Sequence, residues 1–462
     1  MGTGRGGRRN NLRRNQPKPT SSSHLPVDPT NSEPSKPQPT GKTLPAELLL
    51  EVLYRTEVKS LVRFMCVCKS WYGLITHPKF VKKHLSFNNC NNSHVIFNAY
   101  GAGNSKAISL LRVDKMPVKL LDIDVSGKDR FDYPRKINFV DFSRKMHVAG
   151  SVNGVVLLMH IDEMIGKFVA LWNPAINKWK PIKLDEKVGH DCELERSAFG
   201  LGYDEGNDDL RIIRVVTKST SRTEFHKNFK WARVEIYSVN KGCWKDVDYG
   251  GELLFWPRQY HCNFIVKGAP YFVGIDEMPD CVVAFQHEIL GCFDPCTGFY
   301  KKIQYPEHFR EMSTWAEPFE YQDSVAVMVQ STPGLLDEPM IDLYVLDDDT
   351  AIWTKMFTIG PFPYFQFHVP RKSFKSGEIV FEEQLRTRDF YLYDPKTSYI
   401  SSLIGTEGLK PLWMQSYSHT ESLVSVKGME LIGKEDKNKK TKDKKKKRIE
   451  LLSKDFESVL HV

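Results

Sequence analysis

The feature that most constrains the fold is a strand-turn-strand unit that recurs five times. In each copy a Trp or Tyr stands early in the returning strand. The copies start 65, 56, 51 and 49 residues apart, close to the length of a four-stranded propeller blade. Their sequences are LWNPAINKWKPI (171–182), IYSVNKGCWKDV (236–247), CFDPCTGFYKKI (292–303), LYVLDDDTAIWTKMF (343–357) and LYDPKTSYISSL (392–403). The spacing predicts a large all-β domain over residues 90–426, built as an irregular β-propeller.

Residues 44–86 have a helical pattern instead. Leu61, Phe64, Met65 and Cys68 follow the spacing of one helix face, and the His77-Pro78 pair ends the pattern. About forty residues of short amphipathic helices close only a minimal core, which leaves apolar surface for a partner. We therefore predict a multidomain α + β chain in which a small three-helix domain precedes the β domain.

The junction between these two regions has the composition of a loop. It reads FNNCNNSH, within residues 86–95. We therefore expect the helical region and the β region to have independent cores.

The formal net charge of +8 belongs to the ends of the chain. Residues 1–43 carry eight Lys/Arg and two Asp/Glu, and residues 434–448 carry ten and three, so these segments hold +6 and +7 and leave −5 elsewhere. Because a mildly acidic body lacks the basic face that binds phosphate backbones, nucleic acid is not an expected partner. We predict a disordered basic tail over 1–43 and a Lys-rich tail over 428–462. The Lys-rich run suits either a nuclear-import signal or a solubilising tail, and we expect the protein in nucleus and cytoplasm.

No residue pattern indicates catalysis. Cys292 and Cys296 lack the spacing of a zinc site, and the sequence contains no G-x-S-x-G elbow, phosphate-binding loop or H-E-x-x-H helix. The longest apolar run, 154–161, is less than half of the roughly 20 residues that cross a bilayer. The nine cysteines are an odd number and no secretory signal opens the chain, which favours a reducing compartment. We expect a protein without catalytic residues, metal, cofactor or membrane partner.

Residues 44–85 closely resemble the F-box of many plant receptor subunits. The resemblance rests on Leu44-Pro45, Lys59-Ser60-Leu61, Val67-Cys68-Lys69, Trp71 and the ending His77-Pro78-Lys79-Phe80. The region that follows resembles the F-box-associated interaction domain (kelch-like, type 1) of the same proteins. Its matching segments are GSVNGVVLL (150–158), LWNPAINKWKPI, FGLGYDEGNDDLRIIRV (199–215), GAPYFVG (268–274) and ESLVSV (421–426).

The resemblance implies the function of a substrate-receptor subunit of an SCF-type cullin-RING ubiquitin ligase. In that family the F-box binds a Skp-type adaptor, which joins a cullin and a RING subunit, and the associated domain binds the target protein. The residues that the resemblance places at the adaptor are Leu44, Pro45, Leu48, Leu53, Leu61, Val67, Cys68, Lys69 and Trp71. The apolar ones are equally open to a role in the helical core. The alternative function is a protein-binding module that works without an adaptor.

Two features leave the binding partners open. Thr56-Glu57 stands where the family usually has Leu-Pro, and Met65 replaces a common Arg. Loss of that proline predicts a freer turn between helices and weaker adaptor binding. The motifs do not name the target. Trp231, Trp256, Tyr260 and the segment 360–367 are aromatic candidates for loops of the β domain, but packing is the more frequent role of such residues and none is assigned as a site.

Overall fold

The computed structural model describes residues 45–91, 94–100, 106–112, 137–139, 146–162, 166–184, 194–219, 229–249, 253, 255–275, 288–331, 340–360, 368–374, 376–383, 390–402 and 414–431. The predicted tails therefore lie outside the described residues, apart from 428–431. The chain divides into two units between Leu48 and Leu49. The described residues of the first unit, 45–48, all have exposed side chains.

Four helices, one more than the three that the sequence predicted, form the helical segment: α1 (Ala46–Tyr54), α2 (Val58–Phe64), α3 (Lys69–Ile75) and α4 (Pro78–Asn91). Helix α3 ends before His77-Pro78, as the sequence predicts, because Pro disfavours helical geometry in the residue before it. Pro78 also begins α4, since a first-turn residue needs no N–H. The backbone N–H of Lys79 donates to Nδ1 of His77 at 3.3 Å. The expected loop was wrong for residues 86–91, which continue α4.

Twenty-six strands and one further helix follow among the described residues. Their bounds are β1 (His94–Tyr100), β2 (Lys106–Arg112), β3 (Ile137–Phe139), β4 (Met146–Val152), β5 (Val155–Asp162), β6 (Gly166–Asn173), β7 (Lys178–Ile182), β8 (Leu194–Asp204), β9 (Asp209–Ser219), β10 (Phe229–Ser238), β11 (Cys243–Asp246), β12 (Trp256–Pro257), β13 (Phe264–Val266), β14 (Ala269–Ile275), β15 (Glu288–Phe293), β16 (Tyr300–Gln304), α5 (Glu307–Met312), β17 (Ser313–Tyr321), β18 (Ser324–Ser331), β19 (Met340–Leu346), β20 (Trp353–Ile359), β21 (His368–Ser373), β22 (Ile379–Glu383), β23 (Phe390–Asp394), β24 (Tyr399–Ser402), β25 (Met414–His419) and β26 (Glu430–Leu431).

The strands pair into six antiparallel sheets, which we call blades 1 to 6 in chain order. Their strand orders are β25-β1-β2-β3, β26-β7-β6-β5-β4, β11-β10-β9-β8, β12-β14-β15-β16 with β13 beside β14, β17-β18-β19-β20, and β21-β22-β23-β24. Strand β25 pairs with β1 and contacts both β21 and β4, so the last blade and the first are joined. The prediction of a small helical domain followed by a large all-β domain is confirmed.

The recurring unit is the outer hairpin of blades 2 to 6. Each copy spans the last two consecutive strands of its blade, and the aromatic residue of the return pairs across the turn, as in Trp172↔Trp179 and Phe293↔Tyr300. The first residue of the turn helps to close it, because its side-chain oxygen accepts a backbone N–H two residues on, at 3.0 Å for Asn173 and 2.7 Å for Asp294.

The largest cores lie between neighbouring blades. Leu157 and Leu171 of blade 2, for example, pack in one cluster with Ile212 of blade 3, and all three side chains are 0% exposed. Full burial of one such side chain stabilises the fold by about 1.5–3 kcal/mol. The blades are therefore held together by side chains that alternate outward from each sheet.

The helical segment does not have an independent core, and that expectation was wrong. Its buried side chains, Leu53, Val58, Leu61, Ile75 and Phe80, share one cluster with Leu423, which follows β25 and is 5% exposed. Ala175 and Ile176, in the outer turn of blade 2, pack against the same cluster. The helices thus complete their core with residues of the β domain.

Candidate partner-binding surfaces

The residues that the sequence assigned to the adaptor fall into two groups. Leu44 lies outside the described residues. Pro45, Leu48, Val67, Cys68 and Lys69 are exposed, with Leu48 54% and Val67 66% exposed. Trp71 is half-buried, and its ring meets that of Phe64 edge-on at 5.3 Å. The exposed residues stay predicted adaptor contacts.

Leu53 and Leu61 are buried in the helical core. Their side chains are 1% and 0% exposed. Of the two roles that the sequence left open for them, packing is therefore the one that their positions support. An adaptor could reach them only after the core opened.

Two exposed apolar side chains were missed by the sequence reasoning. Val52 is 57% exposed and Tyr72 is 56% exposed. Each adjoins a residue of the predicted set, Leu53 or Trp71. Val52 lies three positions after Leu49, on the face that helical spacing assigns to apolar residues. Helical spacing alone therefore carries no signal that separates these exposed side chains from buried ones.

The turn at Thr56-Glu57 is held by hydrogen bonds, although it lacks the family's proline. Thr56 Oγ1 donates to the carbonyl oxygen of Val52 at 2.8 Å, and the N–H of Leu61 donates to the carbonyl oxygen of Glu57 at 3.1 Å. The carbonyl oxygen of Thr56 also lies 2.8 Å from Nε2 of the buried His84. Burial lowers the pKa of His84, so the neutral ring donates from Nε2 to Thr56. The turn is fixed from both sides.

The segment 420–426 ties the helices to blade 2. Nδ2 of Asn173, which is 0% exposed, donates to the carbonyl oxygens of Ser422 and Val424 at 3.1 and 2.8 Å. Ser422 Oγ donates to the carbonyl oxygen of Asn153 at 2.6 Å. Nδ2 of Asn88 in α4 lies 3.3 Å from the carbonyl oxygen of Glu421. The segment is therefore hydrogen-bonded on both sides, with Leu423 pointing into the helical core.

The end of β8 away from the helical segment carries a cluster of one arginine and two aromatic side chains. The guanidinium of Arg196 in β8 lies over the ring of Tyr260 at 4.3 Å and over that of Trp256 at 5.9 Å. Tyr260 is 40% exposed, whereas Trp256 is buried. Of the other aromatic candidates, Trp231 lies in β10, and residues 361–367 lie outside the described residues. Tyr260 is thus the candidate that the structure places at the surface.

A buried cysteine and histidine in the β domain do not form a reactive pair. Burial raises the pKa of Cys262 to about 12 and lowers the pKa of His261 to about 4. The thiol and the imidazole are therefore both neutral near pH 7, and a neutral thiol is a poor nucleophile. Nδ1 of His261 lies 3.1 Å from the hydroxyl of Tyr417 on β25, so the pair helps to hold the closing strand.

Among the residues that the structure describes, no group of three or more His, Cys, Asp or Glu residues is placed to hold a metal ion. No helix there is long and apolar enough to cross a membrane.

Comparison with known proteins matches both parts of the chain. The sequence model of the F-box domain matches residues 42–83, and that of the F-box associated beta propeller domain matches residues 107–428. Among Arabidopsis thaliana proteins, F-box/WD-40 repeat-containing protein 1 is 25% identical over 68% of this chain and 68% of its own length, and F-box protein CPR1 is 23% identical over 69% and 73%. Other curated relatives are matched over as little as 50% of their length. The solved structure of TolB from Acinetobacter baumannii is 8% identical over 71% of this chain and 66% of that chain, at a TM-score of 0.38, too low to carry an argument.

Proposed function

The chain belongs to the family of F-box proteins that carry an F-box associated β-propeller domain, and from this membership we propose that it is the substrate-receptor subunit of an SCF-type cullin-RING ubiquitin ligase. The helical segment binds a Skp-type adaptor, which joins the cullin and the RING subunit. The β domain binds the protein to be ubiquitinated. The receptor itself performs no bond-forming step.

The observation that carries the proposal is the apolar surface that the helices leave uncovered. Val52, Val67 and Tyr72 are each more than half exposed. Covering such side chains is favourable by about 25 cal/mol per Å² of apolar area. A helical partner would supply that cover, as expected for a module that docks on an adaptor.

The proposal is tested by the affinity of the purified full-length chain for a Skp-type adaptor. We expect Val67→Glu to weaken binding at least about tenfold, because the new carboxylate loses water at the interface. The matched control is Ile352→Glu, since Ile352 is 60% exposed in the β domain. The control should bind as the parent does.

The alternative is a protein-binding module that works without an adaptor. Affinity purification from cells separates the two functions, because a ligase receptor brings down Skp-type adaptor and cullin. Repeated absence of both under mild salt, together with equal in vitro affinities for Val67→Glu and the parent, would favour the alternative.

A further inference from the structure

Arg196 is held at a fixed place beside an exposed aromatic ring. Its strand β8 is paired with the segment that carries Tyr260: the N–H of Phe199 donates to the carbonyl oxygen of Tyr260 at 2.9 Å, and the N–H of Cys262 donates to that of Phe199 at 2.8 Å. Nη2 of Arg196 donates to the carbonyl oxygen of Arg258 at 2.7 Å. The guanidinium therefore has a single, preorganised position.

Among the residues that the structure describes, Arg196 has no acidic partner, whereas other enclosed arginines of the β domain have one. Arg214 pairs with Glu235 at 2.9 Å, Arg371 pairs with Glu382 at 2.5 Å, and Arg258 pairs with Glu288. Among the described residues, Nε of Arg196 is buried without a hydrogen-bond partner. A desolvated guanidinium without an anion is costly, so an anion that reached it would be bound favourably.

The position of Arg196 suits a target rather than the adaptor. Arg196 and Asp204 are eight residues apart on β8, which at 3.3 Å per residue separates them by about 26 Å. The hairpin turn beyond Asp204 meets α4, where Nζ of Lys82 lies 3.3 Å from Oδ2 of Asp208. Arg196 thus lies at the end of the strand away from the helical segment, where a bound target would not compete with the adaptor.

We propose that Arg196, with Tyr260 beside it, binds an acidic side chain in a peptide segment of the target protein. The guanidinium N–H groups that do not bond to the carbonyl oxygen of Arg258 supply the donors for the acidic group. The half-exposed ring of Tyr260 packs against the neighbouring part of the peptide. This inference rests on the proposed receptor function and names the chemistry that the β domain selects.

The test uses the full chain in complex with adaptor and three fluorescein-labelled peptides that differ in one residue: glutamate, phosphoserine or glutamine in an otherwise neutral sequence. Fluorescence anisotropy should show saturable binding of the glutamate or the phosphoserine peptide, weakening as salt is added. The stronger of the two identifies the acidic group. The glutamine peptide should bind at least about tenfold more weakly, since a charged hydrogen bond is lost.

Arg196→Met should lower affinity for the acidic peptide by a similar factor, whereas Arg55→Gln should not, because Arg55 is an exposed arginine of the helical segment. Should Arg196→Met fold poorly by circular dichroism, Tyr260→Ser replaces it, since Tyr260 is 40% exposed. Binding of both acidic peptides no tighter than that of the glutamine peptide, no saturable binding by the parent, or parental affinity in the folded variant would overturn the proposal. Adaptor binding by Arg196→Met is measured alongside. Its retention while peptide binding is lost separates this site from the receptor function as a whole.

Discussion

At the scale of single residues, the surroundings of Glu317 keep its carboxyl group protonated to an unusually high pH. It lies on β17, and burial raises its pKa to about 7, because desolvation outweighs the attraction of Arg371 and Arg258. A carboxyl group whose pKa in the folded state lies above its unfolded value of about 4.5 keeps its proton to a higher pH when the protein is folded. Its contribution to stability is complete below pH 4.5 and is lost as pH rises toward 7.

Glu317→Gln should therefore stabilise the protein near pH 8 and have little effect near pH 4.5. The difference has an upper bound of about 3 kcal/mol, since each pKa unit corresponds to about 1.4 kcal/mol and solvent screens part of it. Urea denaturation of both proteins across this pH range measures it. The exposed Glu307→Gln is the control. A stability difference that does not change with pH would contradict the assignment.

Gly154 is a second residue whose identity the fold requires. With Asn153 it forms the turn between β4 and β5, where φ is 52° for Asn153 and 78° for Gly154, as in a type I′ hairpin. A Cβ at Gly154 would stand 2.3 Å from Ser422 Oγ and 2.6 Å from the carbonyl oxygen of Thr420. Ser422 leads to Leu423, so this glycine lets the C-terminal segment approach blade 2 closely.

Gly154→Ala should lower the free energy of unfolding by about 1–3 kcal/mol, since strained φ and the clash with Ser422 add. Gly206→Ala is the matched control, because a Cβ there meets its nearest atom, Asp204 Oδ1, at 3.6 Å. Chemical denaturation measures both variants. Equal stability of the two would show that the close approach relaxes without cost.

At the scale of elements, neighbouring blades are joined by the aromatic residues of the recurring unit. Nε1 of Trp244 in blade 3 donates to the carbonyl oxygen of Lys183, which follows blade 2, at 2.8 Å. Nε1 of Trp353 in blade 5 donates to the carbonyl oxygen of Gln304 in blade 4 at 3.1 Å. The Trp at this position of the recurring unit therefore pairs across the hairpin of its own blade and also donates a hydrogen bond to the preceding blade.

The segment 420–426 joins the helices to the β domain through one apolar side chain. Leu423→Ala should destabilise the fold by about 2–5 kcal/mol, as expected for a cavity in a packed core. It should also weaken adaptor binding, because the helices that carry the adaptor surface lose support. Leu431→Ala is the control, since Leu431 is 41% exposed in β26. Parental stability and adaptor affinity for Leu423→Ala would indicate that the helices support themselves.

At the scale of the whole molecule, the helical core depends on residues far along the chain. A fragment ending at residue 91 keeps α1 to α4 but lacks Ala175, Ile176 and Leu423. We expect this fragment to melt without a cooperative transition and to bind adaptor more weakly than the full chain does. Circular dichroism and adaptor titration test this. A sharp transition with full adaptor affinity would restore the independent domain that the sequence suggested.

The Lys-rich run at 434–448 lies outside the described residues and remains a prediction. Deleting it removes a net charge of +7. If the run is an import signal, the protein should shift from nucleus to cytoplasm while adaptor binding is unchanged. Fluorescence imaging and affinity purification test the two parts, and unchanged nuclear entry would leave the run as a solubilising tail.

The sequence by itself determined most of the elements but not all of their bounds, since residues 86–91 continue α4 where a loop was expected. Strand-turn-strand hairpins and the amphipathic helices depend on residues close together in the chain, so local periodicity predicted them. The same reasoning could not decide which apolar residues of the helices are buried and which are exposed, because a helical pattern alone does not say what covers each face.

Only the tertiary structure decided which of those faces are covered. Leu423 enters a helical core more than 330 residues upstream in the chain, β25 closes the ring against β1, and Arg196 has no acidic partner among the described residues. These pairings join residues far apart in sequence, and they exist only once the blades close into a ring. No pattern within one segment carries that information, because the free energy of such contacts depends on the position of every blade between them.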